Sequence, residues 1–366
     1  MNHIKIFVDC HVFDGPFQGT TSYLSGLYSE LIKQKDKTYY LASSNPENLE
    51  KIFGKHDNVI YLKYRFGNKF FRILLDIPYF VSSFNIDFAH YQYIVSPIKK
   101  CKNIVTVHDV LFLDFPEYFP LSYRIKNKFL FKWSARKSDI VLTVSDYSKH
   151  KIQKHFNLNN VFVTPNAVNP IFLEEYQKKE AQEYIESTFG IKNFFLFVSR
   201  FEPRKNHLTL LRTFVENKYY LNRELVFIGN DAIGCKALDK YHNSLTEEIK
   251  TKVKILRKVS FDDLVAFTRA ADMVIYPSIA EGFGIPPLES IAAETPTVCS
   301  NSTAMADFNF IHPFLFNPLD KTEINEKIKE AFVYDNWKHN KQEMCEKYNW
   351  TNSASVFLKA IESIKS

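Results

Sequence analysis

The sequence predicts an α/β protein of two Rossmann-like domains in tandem, and three observations carry the prediction. Short β-branched and aromatic runs alternate with longer stretches of helical period, the pattern of βα units around parallel sheets. The runs fall into two series, each sufficient for its own sheet. Between the series lies Pro165-Asn166-Ala167-Val168-Asn169-Pro170, where two prolines and two asparagines forbid a continuing helix or central strand.

The first series predicts strands at Ile4 to Val8, Tyr39 to Ala42, Val59 to Leu62, Ile104 to Val107, Ile140 to Val144 and Val161 to Thr164. The second predicts strands at Phe194 to Val198, Leu225 to Ile228, Val253 to Leu256, Met273 to Tyr276, Thr297 to Ser300 and Phe314 to Phe316. The tail, Thr351 to Ile364, follows Trp350 and reads as a helix with Thr351 as its N-cap. The boundaries are therefore 1–168 for the first domain and 169–350 for the second, with a last helix at about 351–366. Ligands of open parallel sheets gather at the carboxyl ends of strands. Two such sheets face to face would leave a deep cleft, suited to a two-part substrate.

Composition supports this organisation. The chain has 366 residues, 45% of them hydrophobic, with 34 Phe and 20 Tyr, which is ample for two cores. No apolar run approaches the roughly 18 residues of a membrane span, and no signal segment opens the sequence, so neither an integral membrane protein nor a secreted one is expected. The five scattered cysteines include no C-x-x-C pair, which argues against a disulfide framework and a zinc site and fits a reducing cytoplasm.

The net charge of +6 is uneven: residues 1 to 170 hold 22 Lys and Arg against 14 Asp and Glu. Leu121 to Lys137 carries Arg124, Lys126, Lys128, Lys132, Arg136 and Lys137 without an acid, interleaved with Tyr123, Phe129, Phe131 and Trp133. A second basic and aromatic stretch runs from Lys63 to Arg72. Such stretches suit an anionic membrane surface, or equally a solvated helix face whose aromatics are core. Nucleic acid is not expected, because no recognition motif accompanies them.

The sharpest chemical signal follows the strand ending at Tyr276. In Pro277-Ser278-Ile279-Ala280-Glu281-Gly282-Phe283-Gly284-Ile285-Pro286-Pro287-Leu288-Glu289, two glycines permit amide-exposing turns and two prolines suit a first helical turn. A diphosphate fits that turn, and Glu281 and Glu289 are acceptors for sugar hydroxyls; a helix-dipole and turn-cap role for the two acids is the structural alternative. A second segment, Ser199-Arg200-Phe201-Glu202-Pro203-Arg204-Lys205-Asn206, places Arg200 and Lys205 to neutralise a departing nucleoside diphosphate, with Arg204 expected to be solvated.

These two segments, together with Ser290-Ile291-Ala292-Ala293-Glu294-Thr295-Pro296, Val144-Ser145-Asp146-Tyr147-Ser148-Lys149 and Pro165-Asn166-Ala167-Val168, resemble glycosyltransferase family 4, whose members are retaining enzymes of the GT-B fold. The resemblance implies an acceptor-binding first domain, against which the last helix packs back, and a nucleotide-sugar-binding second domain. It implies that Glu281 holds donor-sugar hydroxyls, Glu289 the ribose, Gly282, Phe283 and Gly284 the sugar and diphosphate, and Arg200 and Lys205 the phosphates. His108, in Val107-His108-Asp109, would contact the transferred sugar, with Asp109 orienting it or its loop. Gly19, in Gly15-Pro16-Phe17-Gln18-Gly19-Thr20, would let backbone approach donor or acceptor. Glu294 stands where relatives often have glycine, which implies an altered turn.

The implied activity is hexosyl transfer from a nucleoside-diphosphate sugar to a hydroxyl of a glycan or lipid-linked acceptor, as in mannosyl transfer for polysaccharide or O-antigen synthesis. No cofactor and no metal is expected, in keeping with the lack of any D-x-D. The stretch Asp109 to Phe119 hints at a GDP-sugar, with a UDP-sugar as the alternative. The implied location is the cytoplasm, with peripheral contact at the inner face of the plasma membrane through the basic first domain. Two other readings keep the fold: a sugar-nucleotide epimerase, which would need no acceptor, and a catalytically silent sugar-nucleotide-binding partner.

Overall fold

The computed structural model describes residues 3–16 and 18–364. Phe17 of the predicted glycine loop, and Lys365 and Ser366 at the end of the predicted last helix, lie outside them. The chain divides into two compact units, one of residues up to Ala167 together with those from Tyr348 on, the other Val168–Lys347. Val168 thus falls with the second unit, and Tyr348, Asn349 and Trp350 fall with the first.

Among the described residues, unit 1 is built on a seven-stranded sheet: β1 (Ile4–Asp9), β2 (Lys37–Ser43), β3 (Val59–Lys63), β4 (Phe88–Gln92), β5 (Lys102–Thr106), β6 (Ile140–Thr143) and β7 (Phe162–Val163). Their order is β3-β2-β1-β4-β5-β6-β7, with every neighbouring pair parallel. In the centre, Ile6 lies opposite Tyr39 on one side and Phe88 on the other. Strand β4 is absent from the sequence prediction. It is wholly buried, yet its sequence FAHYQ carries two polar side chains, and a strand buried on both faces normally reads as continuously apolar.

The helix Gly19–Leu31 and the last helix, Trp350–Glu362, pack together in unit 1. Gly26 makes this possible, because a methyl group there would overlap the Trp350 indole. Tyr28 meets Phe357 edge-on at 6.1 Å, and Ser353 Oγ donates to the Pro165 carbonyl at 2.7 Å. The N-cap is Asn349, whose side chain accepts from the Asn352 amide at 2.8 Å, and not Thr351. Thr351 Oγ1 instead reaches Glu30 at 3.2 Å.

Unit 2 carries a six-stranded sheet: β8 (Phe194–Val198), β9 (Glu224–Ile228), β10 (Val253–Leu256), β11 (Met273–Tyr276), β12 (Thr297–Ser300) and β13 (Leu315–Phe316), in the order β10-β9-β8-β11-β12-β13. Phe194, Leu196, Val226, Ile228, Phe267 and Val274 form a buried core against it. In both sheets the strand order reverses beside the first strand, at β1/β4 and at β8/β11. Loops on either side of such a point diverge and leave a crevice at the carboxyl edge. No helix among the described residues is long and apolar enough to cross a membrane.

Candidate active site

In unit 2 the two predicted segments leave adjacent strands at the switch point, the 199–206 segment from β8 and the 277–284 segment from β11. The fold thereby brings together residues some 80 positions apart in sequence. Lys205 Nζ donates to Glu281 Oε1. Arg204 Nη1 donates to Glu281 Oε2 at 3.1 Å and to the Ala280 carbonyl at 2.6 Å, while its Nη2 donates to Glu202 at 2.7 Å. Arg200 ends the series 3.8 Å from Glu202, with its side chain 63% exposed. The charges therefore alternate along Arg200, Glu202, Arg204, Glu281 and Lys205.

This arrangement corrects the expectation for Arg204. Its side chain is only 10% exposed, and it clamps the two acids rather than facing solvent. A run of cations in sequence does not disclose which one turns inward. Burial alone would raise the Glu281 pKa, but Lys205 and Arg204 outweigh it and hold the carboxyl at about 2. The Lys205 ammonium is itself pushed down by burial, against the attraction of Glu281. Nζ also lies 5.9 Å from the centre of the Tyr276 ring.

Local geometry explains why these side chains stay in place. Asn206 adopts a left-handed conformation at φ 65°, and its side-chain amide donates to the carbonyls of Pro277 at 3.1 Å and Pro318 at 2.7 Å. It thus ties the two segments together. Thr303 Oγ1 accepts from the Glu281 amide at 2.8 Å, a support that no sequence signal indicated. Gly284 has φ 104°, and a Cβ there would crowd Met305 at 3.1 Å, so glycine is required. Phe283 anchors the turn by packing edge-on against Phe308 at 5.7 Å.

The helix Ile285–Ala292 starts from Gly284 without a side-chain cap, with proline in its first turn. An uncapped N-terminus of this kind favours anions. Glu289 lies beyond the first turn, half-buried, and its carboxylate has no hydrogen bond or ion pair among the described residues. Burial without a nearby cation pushes its pKa up to about 7.

In unit 1, His108 sits just past β5 and is buried. Its Nε2 pairs with Gln92 Oε1 at 2.7 Å, and Thr143 Oγ1 donates to its carbonyl at 3.2 Å. Because an amide oxygen only accepts, Nε2 carries the proton and Nδ1 is the acceptor nitrogen. Burial lowers the His108 pKa to about 3, so the ring is neutral at physiological pH. Tyr23 meets the ring edge-on at 5.0 Å, and Tyr93 lies at 5.3 Å. Gln92 also donates to His90 at 3.4 Å, and this buried pair on the unpredicted strand β4 escaped the sequence reading.

Asp109 accepts from the Leu111 amide at 3.1 Å, which shapes its own loop. Gly19 opens its helix in an exposed position, and a Cβ there would meet nothing within 4 Å, so the fold itself does not require glycine. Among the described residues, no group of three or more His, Cys, Asp or Glu side chains could hold a metal ion.

Comparison with known proteins matches residues 17–171 to the model of Glycosyltransferase Family 4 and residues 178–349 to that of Glycosyl transferases group 1. The O-antigen chain mannosyltransferase RfbU of Salmonella typhimurium is 33% identical over 234 residues, a match spanning 62% of this chain and 59% of that relative. The O-antigen chain mannosyltransferase B of Escherichia coli is 25% identical over 266 residues, 70% of this chain and 69% of the relative. Among solved structures, sucrose-phosphate synthase from Thermosynechococcus elongatus superposes with a TM-score of 0.74 at 15% identity, covering 99% of each chain, which supports the GT-B fold. With both halves matched in order, the chain belongs to glycosyltransferase family 4.

Proposed function

We propose that the protein is a retaining, metal-independent hexosyltransferase, moving a sugar from a nucleoside diphosphate to a hydroxyl of a glycan or lipid-linked acceptor in surface-polysaccharide synthesis. The observation that carries this reading is the buried Lys205–Glu281–Arg204 cluster beside the Gly284 turn. O-antigen mannosyltransferases among the relatives support mannose as the sugar, and the Asp109 to Phe119 stretch supports a GDP-sugar as the donor. The exposed basic and aromatic residues of unit 1 support contact with an anionic membrane.

Each group has a task in this reading. Arg200, which is exposed, and Lys205 take the donor phosphates, stabilising the charge that develops on the leaving diphosphate. Glu281 stays ionised and accepts from hydroxyls of the donor sugar, while Glu289 accepts from the ribose. The amides of Gly282, Phe283 and Gly284 line the sugar and diphosphate. His108 offers the transferred sugar a neutral acceptor nitrogen, and Gly19 leaves room for donor or acceptor. No side chain acts as a nucleophile; the acceptor hydroxyl bonds to the anomeric carbon from the face the diphosphate leaves, the departing phosphate takes its proton, and the stereochemistry is thereby retained.

Transfer assays with Arg200→Ala and Lys205→Ala test the assignment. Arg200 is exposed, so Arg200→Ala should keep the thermal midpoint while lowering the rate by about tenfold or more. Lys205→Ala should abolish transfer. Full activity in either variant removes that residue from the mechanism. Formation of an isomeric sugar nucleotide without any acceptor would instead assign the protein to the epimerases.

A further inference from the structure

Unit 1 contains a buried guanidinium that the scheme above does not use. Arg72 has a side chain 10% exposed, yet it makes no hydrogen bond among the described residues. Its Nε is buried without a partner. The nearest acid, Asp9 at the end of β1, presents its Oδ2 3.5 Å from Nη2, while its Oδ1 accepts from the Tyr64 hydroxyl at 2.7 Å and lies 3.1 Å from His11. The Tyr64 ring faces the guanidinium at 5.7 Å. A buried guanidinium normally satisfies several of its five donors.

The backbone around Arg72 is unusual as well. The helical stretch from Lys69 to Ser83 widens into a π-turn over Arg72–Asp76, a feature often associated with functional sites. The wide turn directs Arg72 inward while Phe70 (72% exposed), Phe71, Leu74 and Leu75 point to solvent. Asp76 holds the preceding loop by accepting from the Arg65 side chain at 2.7 Å and from the Phe66 amide at 3.0 Å. The Val95–Ser96 loop links this stretch to the helix Leu121–Lys137: Ser96 Oγ donates to the Ile73 carbonyl at 2.8 Å, and Ser134 Oγ accepts from Val95 at 3.2 Å. That second helix exposes Leu121, Tyr123, Ile125 and Phe129. Lys69, three residues before Arg72 on the same helical stretch, is pushed below its ordinary pKa by partial burial and by repulsion from Arg72 and from Lys126 of that second helix.

We propose that Arg72, Lys69 and Lys126 form an anion subsite in unit 1 that holds a phosphate or diphosphate ester of the acceptor, with the surrounding apolar side chains receiving its lipid portion. The inference rests on the transferase reading only in calling the ligand an acceptor. The subsite uses residues separate from the phosphate-binding residues of unit 2. An incoming ester would supply an acceptor for the unpartnered Nε and offset the repulsion that Arg72 and Lys126 exert on Lys69.

Co-sedimentation of the full chain with three vesicle types tests the proposal: neutral phosphatidylcholine, the same lipid doped with a polyprenyl diphosphate, and the same lipid doped with phosphatidylglycerol to equal charge. Binding to the diphosphate vesicles should exceed binding to the equal-charge vesicles by about tenfold, and inorganic diphosphate should compete. The surface variants Lys69→Ala and Lys126→Ala should lose that excess while keeping the thermal midpoint. Arg72→Lys, which keeps the charge but not the fork, should lose it too. Competition by inorganic diphosphate without preference among vesicles, if abolished in the variants, supports the subsite and assigns it a soluble phosphate ester. Equal binding to both charged vesicles without competition, or unchanged preference in all three variants, overturns it. Nucleotide binding by unit 2, measured separately on the same samples, tests the transferase reading independently of this outcome.

Discussion

Glu281 and Glu289 belong to one short segment yet are pushed in opposite directions. Glu281 has two cations within hydrogen-bonding distance and stays ionised down to about 2, whereas Glu289 has burial and no cation and rises to about 7. The Glu289 value lies above the ordinary 4.5, so its contribution to stability is fully present below 4.5 and is lost as pH rises through about 7. Glu289→Gln should remove that slope, worth up to about 1.4 kcal/mol per pH unit, in urea unfolding followed from about pH 5 to about pH 8. A slope identical to that of the parent would show that Glu289 is not shifted. Glu281→Ala has a different consequence, because it strands the Lys205 ammonium in the interior and leaves Arg204 with Glu202 as its acid partner. It is expected to destabilise unit 2 by about 3 kcal/mol or more, which makes Arg200 the cleaner probe of function.

At the scale of elements, the last helix depends on a single close approach. Gly26→Ala places a methyl group inside the Trp350 indole, so the variant should unfold at lower temperature and expose the helix Trp350–Glu362 to amide exchange. Unaltered exchange in that helix would contradict the packing described for unit 1. The strands of unit 2 were legible in the sequence because their cores are apolar runs, as in Phe194–Val198. Strand β4 was not, because His90 and Gln92 occupy a buried strand as a hydrogen-bonded pair and mimic a solvated segment. Asn349 and Thr351 are both capping residue types, and only the path of the chain decides between them. Glu294 takes φ 52°, a left-handed conformation that glycine adopts without strain. In the site, residue types were readable where a turn needs glycine, but the inward rotation of Arg204 and the support from Thr303 and Gln92 arise from tertiary contacts alone.

At the scale of the whole molecule, the two units should respond differently to acid. Burial holds His90 and His108 in unit 1 at about 3, and in unit 2 His207 is likewise held at about 3. Such residues bind protons in the unfolded chain first, so stability falls as pH drops below the ordinary 6.5. In unit 2 the raised Glu289 opposes His207 over that range, whereas in unit 1 the two histidines add. Unit 1 should therefore lose amide-exchange protection first on acidification towards about pH 5, and simultaneous loss in both units would contradict these assignments. The central claim, that unit 2 grips a nucleoside diphosphate sugar through its paired acids and cations, is tested most directly by donor binding. Thermal unfolding of the full chain with GDP-mannose, UDP-glucose and dTDP-rhamnose should show a raised midpoint with at least one donor, GDP-mannose foremost, and the shift should shrink in Arg200→Ala and Glu289→Gln. No shift with any nucleotide sugar, or an undiminished shift in both variants, would contradict it.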